Sequence, residues 1–217
     1  MRKLLISAIT IILLIGCSTD GQQVKLLNKN NDPEPFSRVG RIAEQYPASD
    51  IISQGYKYYI IDQDTPNAFV DSKNKRLFIY RGLIEQMTDQ ELAVIIFHEN
   101  AHVKLGHADK RIATSYATTI AFQIANIFVP GVGYADYAVN PLLTNAYSRS
   151  QESDADKDAI ETGKQFGIKP GVYIGALEKL KSHAASMGRG TDSTGLFDSH
   201  PNLEYRIIQI KKIKENE

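Results

Sequence analysis

The chain has 217 residues, with 25 Lys and Arg balanced by 25 Asp and Glu, 42% hydrophobic and 23% charged residues. That is enough chain to bury the core of one domain, and the balance excludes a largely disordered chain, a collagen-like repeat and a multi-pass membrane protein. A formal charge of zero gives no case for a nucleic-acid partner, and a single Cys excludes both an intramolecular disulfide and an all-Cys zinc site.

The first element is a leader. Arg2 and Lys3 form a basic start, Leu4 to Ile15 is an apolar run too short to span a bilayer, and the run ends at Leu14-Ile15-Gly16-Cys17. This tetrapeptide resembles the lipobox of bacterial lipoproteins. The resemblance implies a signal peptide over residues 1–16, cleavage before Cys17 and lipidation of Cys17, an anchor strong enough to hold the chain on a membrane. Ser18 rather than Asp after the Cys favours, by resemblance to Gram-negative sorting, the periplasmic face of the outer membrane. Residues 17–35 then read as the lipidated Cys with a polar, proline-containing tether, and 36–217 as the domain.

Within the domain, Phe36, Val39, Ile42, Ala43 and Tyr46 follow a helical period, so a helix is expected over Phe36–Ser53. Tyr56–Ile61, Asn67–Asp71 and Arg76–Tyr80 are rich in strand formers, with turn chemistry from Ser72 to Lys75; a small sheet with hairpins is expected. Thr88-Asp89-Gln90-Glu91 is a capping-box signature opening a helix to about Leu105, with Gly106 as its stop. Residues 112–133 read as a buried or membrane-surface helix, Pro141–Phe166 as a long helix stopped by Gly167, and Pro170 to about Ser186 as another. Residues 187–199 form a Gly/Ser/Thr/Asp loop, and Asn202–Lys214 a closing amphipathic helix.

The chemistry sits on the capped helix. His98-Glu99-Asn100-Ala101-His102 matches HExxH, which puts two imidazoles one helical turn apart on one face, where both can bind one zinc ion. Glu99 then lies beside the metal as the general base for its water. The longer pattern with Gly and His at the next positions is disfavoured, because Leu105 and Ala108 occupy them; His107 is turned away on the helix and reads as a structural or supporting residue. A catalytic zinc needs a third protein ligand. Glu152 and Asp156 share a helix face at i, i+4, which offers a third ligand and a carboxylate to orient a ligand His; on chemistry alone this face could equally be a solvated acidic stripe.

These motifs resemble the M48 peptidase family, in its periplasmic lipoprotein branch related to Ste24- and HtpX-type enzymes. The resemblance covers most of residues 65–210: Asn67-Ala68-Phe69 is similar to the strand before the active site, Glu91-Leu92 with His98–His102 to the catalytic helix, and Arg149, Glu152, Ala155 and Asp156 to an R…E-x-x-A-D segment. His200-Pro201 with Arg206 is similar to a late H-P…R element. Two departures stand out: Asn100-Ala101 replaces the bulky residue and Gly of many members, and no spanning helix is read after the leader.

The resemblance implies an α+β, mainly helical, zincin-like domain with a small sheet beside the HExxH helix. It implies one Zn2+ per chain held by His98, His102 and Glu152, with Asp156, Arg149 and Arg206 behind them. It also implies that His200 either binds the metal or stabilises the oxyanion; its place after the 187–199 loop fits a movable plug. The expected activity is a metalloendopeptidase that binds unfolded or misassembled envelope proteins as an extended strand against Asn67, Ala68 and Phe69. The rival classes are an envelope-assembly lipoprotein with little proteolysis, working with assembly machinery, and a cell-wall peptide amidase.

Overall fold

The computed structural model describes residues 25–47, 51, 54–109, 146–187 and 200–215. The expectations for the leader, for Cys17, for 112–133 and for 188–199 lie outside the described residues. Among the described residues no helix is long and apolar enough to cross a membrane.

Helix α1, Pro33–Gln45, opens with Pro at its first position and buries Val39 and Ile42. It starts three residues before the boundary read at Phe36 and stops well short of Ser53. Pro47 explains the early stop: the residue before a proline avoids the helical region, and Tyr46 sits at φ −127° as the C-cap. The segment before α1 is already attached to the domain, since the Leu27 N–H donates to the Ile60 carbonyl at 2.8 Å and the Asp62 N–H to the Lys25 carbonyl at 2.8 Å.

Strands β1 (Lys57–Ile61), β2 (Ala68–Asp71) and β3 (Arg76–Tyr80) form a mixed sheet in the order β1-β3-β2. β2 and β3 make the expected hairpin, with Phe69 opposite Phe78. β1 instead pairs with β3 in parallel, so the link from β1 to β2 crosses to the far edge rather than turning as a hairpin. Side chains alternate between faces. Ile60, Ala68, Val70, Leu77 and Ile79 face the main core, while Ile61, Phe69 and Phe78 form a second cluster on the other side. Both faces are therefore buried, which is why β2 carries no polar alternation.

A short helix α2 (Arg81–Gln86) leads into α3 (Asp89–Lys104), the axis of the molecule. Both halves of the Thr88–Glu91 capping box are formed, and α3 is buried from Glu91 through His102. Gly106 follows at φ +67°, a left-handed turn that suits glycine. Helix α4 is Arg149–Gln165, not Pro141–Phe166; Ser148 caps it, its hydroxyl accepting from the Gln151 N–H, so residues 146–148 lie ahead of the helix. Helix α5 is Pro170–Ser186, and α6 is Leu203–Glu215. α3 packs against α4, α5 and β2, while α6 lies across α4 and α5. This is the mainly helical α+β arrangement expected, with the small sheet beside the motif helix.

Candidate metal centre

Three helices deliver the site. α3 carries His98, Glu99 and His102; α4 carries Glu152 and Asp156; α6 carries Arg206, with His200 in the turn before it. All are buried, His102 and Glu152 completely. The two imidazoles present the same atom to the centre, with Nε2 of His98 and Nε2 of His102 3.0 Å apart. Glu152 completes the group, Oε1 lying 3.4 Å from His102 Nε2 and Oε2 3.5 Å from His98 Nε2.

His200 closes the fourth side. Its Nδ1 lies 3.2 Å from His98 Nε2 and 3.1 Å from Glu152 Oε1. Its Nε2 lies 3.0 Å from Glu99 Oε1, an ion-pair contact outside hydrogen-bond geometry. Asn202 makes this reach possible by taking φ +65°, a left-handed turn that Asn tolerates, between Pro201 and α6. One ligand atom from each of His98, His102, Glu152 and His200 lies within 4.8 Å of the others.

A divalent ion fits this set. Ligands at zinc's usual 2.0–2.1 Å on a tetrahedron stand about 3.3 Å apart, close to the spacings above. Glu99 Oε2 is buried without a hydrogen-bond partner among the described residues, a costly arrangement unless something charged joins it.

The supporting contacts fix each ligand. His98 turns Nδ1 outward to Asp156 Oδ1 at 3.0 Å and to the Tyr173 hydroxyl at 2.9 Å. The Tyr173 hydroxyl donates to Asp156 Oδ1 at 2.7 Å. Arg206 grips Asp156 through Nε (3.0 Å) and NH2 (2.6 Å), and places NH1 2.8 Å from Glu152 Oε2. Tyr173, 75 positions from His98, was missed by the sequence reading; no spacing signal marks it.

The electrostatics follow from burial and these partners. Burial pushes the His102 imidazole down to about 3, the neutral form a metal ligand needs. Burial would raise Asp156, but the Arg206 guanidinium and His98 outweigh it and hold the carboxyl near 2. Glu152 is likewise held well below the usual carboxylate range, with Arg206 and His200 overcoming burial. Burial opposes protonation of His200, yet the Glu99 and Glu152 carboxylates raise it to about 9.

Other expected residues divide. Asn67 and Ala68 line a small cavity that also meets His98, Glu99 and His200. Phe69 does not reach it; its ring stacks on Phe78 on the opposite face of the sheet, with centroids 4.8 Å apart. Arg149 stays exposed on the first turn of α4, with its guanidinium 5.9 Å from the Tyr205 ring, away from the ligands. His107 is buried behind His102 and outside the ligand group.

The peptidase family M48 model matches residues 36–214. The chain belongs to family M48. Among its relatives, Metalloprotease LoiP of Escherichia coli K12 is 31% identical over 169 residues, covering 75% of this chain and 64% of its own length. Metalloprotease YcaL of the same organism is 33% identical over 143 residues, covering 61% and 52%. Protease HtpX of Legionella pneumophila is 28% identical over 199 residues, covering 71% and 69%. The chain thus spans less than two thirds of the length of the two metalloproteases. Its M48 motif is intact in space as well as in sequence, since both imidazoles, Glu99 and the distant carboxylate converge.

Proposed function

We propose that this M48 chain is a zinc-dependent endopeptidase that hydrolyses peptide bonds of unfolded or misassembled cell-envelope proteins. The observation that carries it is the convergence of Glu99 with His98, His102 and Glu152 in one buried group. Two neutral imidazoles and one carboxylate are a donor set suited to zinc, and these three residues would hold it. When bound, the ion polarises a carbonyl and makes a water acidic enough to lose a proton near neutral pH.

The chain's own residues supply the rest. Glu99 takes the proton of the attacking water and returns it to the departing amine. Asp156 and Tyr173 hold the His98 ring from behind. Arg206 keeps both α4 carboxylates ionised and oriented. His200 in its present position holds Glu99 and faces the ligands, so it must withdraw before a substrate can engage. β2 pairs only with β3 among the described residues, which leaves an edge beside Asn67 and Ala68 for an extended peptide. Main-chain pairing is tolerant of sequence, which suits unfolded segments.

The leader and Cys17 support a lipid-anchored location in the periplasm, on the outer membrane. A second reading, an envelope-assembly lipoprotein with little proteolysis that works with assembly machinery, is favoured by one observation: His200 already closes the fourth side of the site. The test is Glu99→Gln in the purified chain. It should keep about one zinc per chain and cleave casein roughly 10²- to 10⁴-fold more slowly. Cleavage at the parental rate overturns the role of Glu99, and a parent that binds zinc without cleaving casein supports the second reading.

A further inference from the structure

Each ligand His has a face and a nitrogen turned away from the centre, and the two are held differently. His98 hands Nδ1 to a carboxylate, Asp156, the usual partner of a metal-binding imidazole. Among the described residues no carboxylate meets the outer nitrogen of His102. Its Nδ1 lies 3.2 Å from Nδ1 of His107, also buried. Its flat face lies against Tyr147, with ring centroids 3.6 Å apart and planes 11° from parallel.

Tyr147 is 3% exposed, buried beside the ligand histidines. Among the described residues its ring lies near three imidazoles: His102, His200 with centroids at 5.1 Å and His107 at 6.4 Å. Tyr147 also precedes Ser148, the cap of α4, so the turn that starts the Glu152 helix sets the ring's position.

We propose that Tyr147 and His107 are positioning residues for His102: the tyrosine ring fixes the plane of the imidazole, and His107 fixes its tautomer. With Nε2 facing the ligand group, the proton sits on Nδ1 and is donated to His107 Nδ1. Rotation of the imidazole about its own axis would swing Nε2 out of the group, and a parallel ring in van der Waals contact resists that rotation. The first and second ligands are thus held by different chemistry, a carboxylate with a phenol for His98 and an imidazole with a stacked ring for His102.

This rests on His102 being a metal ligand, and the test separates the two claims. Zinc affinity is measured by chelator competition on the full chain in detergent, for the parent, Tyr147→Phe, Tyr147→Leu, His107→Asn and His107→Leu. Phe keeps the stack and Asn keeps an acceptor, so both should bind within about two-fold of the parent; the Leu variants should bind roughly 10- to 100-fold more weakly. The cobalt-loaded forms supply a spectroscopic reading: the visible bands should match the parent in Tyr147→Phe and shift in Tyr147→Leu. Unfolding midpoints with excess chelator should agree between Tyr147→Phe and Tyr147→Leu, which packing alone would not give together with an affinity loss. A parent that takes up no metal overturns the ligand assignment itself. A parent that binds zinc, with both Leu variants binding as tightly and showing its cobalt spectrum, overturns the positioning role alone. Should Tyr147→Leu not fold, the His107 pair decides: equal affinity in His107→Asn and His107→Leu overturns the proposal.

Discussion

Arg206 holds Asp156 with two nitrogens, at 3.0 and 2.6 Å, across helices α6 and α4, and both side chains are nearly closed to solvent. The third guanidinium nitrogen reaches Glu152 at 2.8 Å. One cation therefore ties helix α6 to two buried carboxylates, one within the candidate metal group and one behind it. Removing one partner of a buried pair leaves the other charge uncompensated, which is far worse than losing a surface bridge.

Arg206→Met should therefore cost roughly 3–5 kcal/mol of stability. Arg206→Lys should recover only part of it, because an ammonium cannot span both carboxylates. Thermal or denaturant unfolding in excess chelator checks this. A Met variant as stable as the parent would contradict the structural role of the pair.

His200 faces the ligands and holds Glu99 in the same pose. His200→Ala should raise the initial rate of casein cleavage several-fold, since the closed arrangement lowers the competent fraction. A fall in rate with unchanged zinc affinity would instead make His200 a group that stabilises the transition state.

The start of α3 combines a cap and an ion pair. The Thr88 hydroxyl accepts from the Glu91 N–H, and Glu91 Oε2 receives the Thr88 N–H at 2.7 Å and Lys179 Nζ at 2.6 Å. Thr88→Ala should cost about 1 kcal/mol. Burial would raise the Glu91 carboxyl, but Lys179 and the Thr88 N–H hold it below its ordinary value of 4.5. The folded value being the lower one, this stabilisation is complete above the unfolded value and is lost as pH falls through the folded value. Stability of the parent should thus decline below about pH 4.5 more steeply than that of Glu91→Gln, read from unfolding midpoints across pH.

Gly82 is fixed by close approach rather than by its dihedral angles. A Cβ there would stand 1.8 Å from the Asp64 carbonyl oxygen, a backbone atom that cannot rotate aside. Gly82→Ala should destabilise by roughly 1–3 kcal/mol, the usual cost of overpacking. An unchanged melting temperature would show that the link from β1 to β2 yields freely.

What was legible in the sequence was mostly local. β3 and α5 follow from strand formers after a turn and from a proline start with a helical period, and both match their expected limits. The His pair was readable because i, i+4 on a helix fixes geometry by itself. Local signals were also present where limits were misplaced: Pro47 ends α1, and Ser148 with Gln151 starts α4. The parallel pairing of β1 with β3 was not readable, since no turn residue encodes a crossover. Nor were Tyr173 and Tyr147, whose roles exist only once α3, α4 and α5 have packed and brought distant side chains within hydrogen-bond or stacking distance. Arg206 reaches Asp156 and Glu152 only because α6 lies across α4 and α5, a packing that no local signal encodes.

The most direct measurement is a zinc titration of the chelator-stripped full chain, with casein cleavage followed at each addition. Activity should be absent at the start, rise in proportion to bound zinc and level off at one equivalent, and His102→Ala should show no such rise. Full cleavage by the stripped chain, or a plateau reached without bound metal, would contradict the assignment of His98, His102 and Glu152 as the ligands of a catalytic ion.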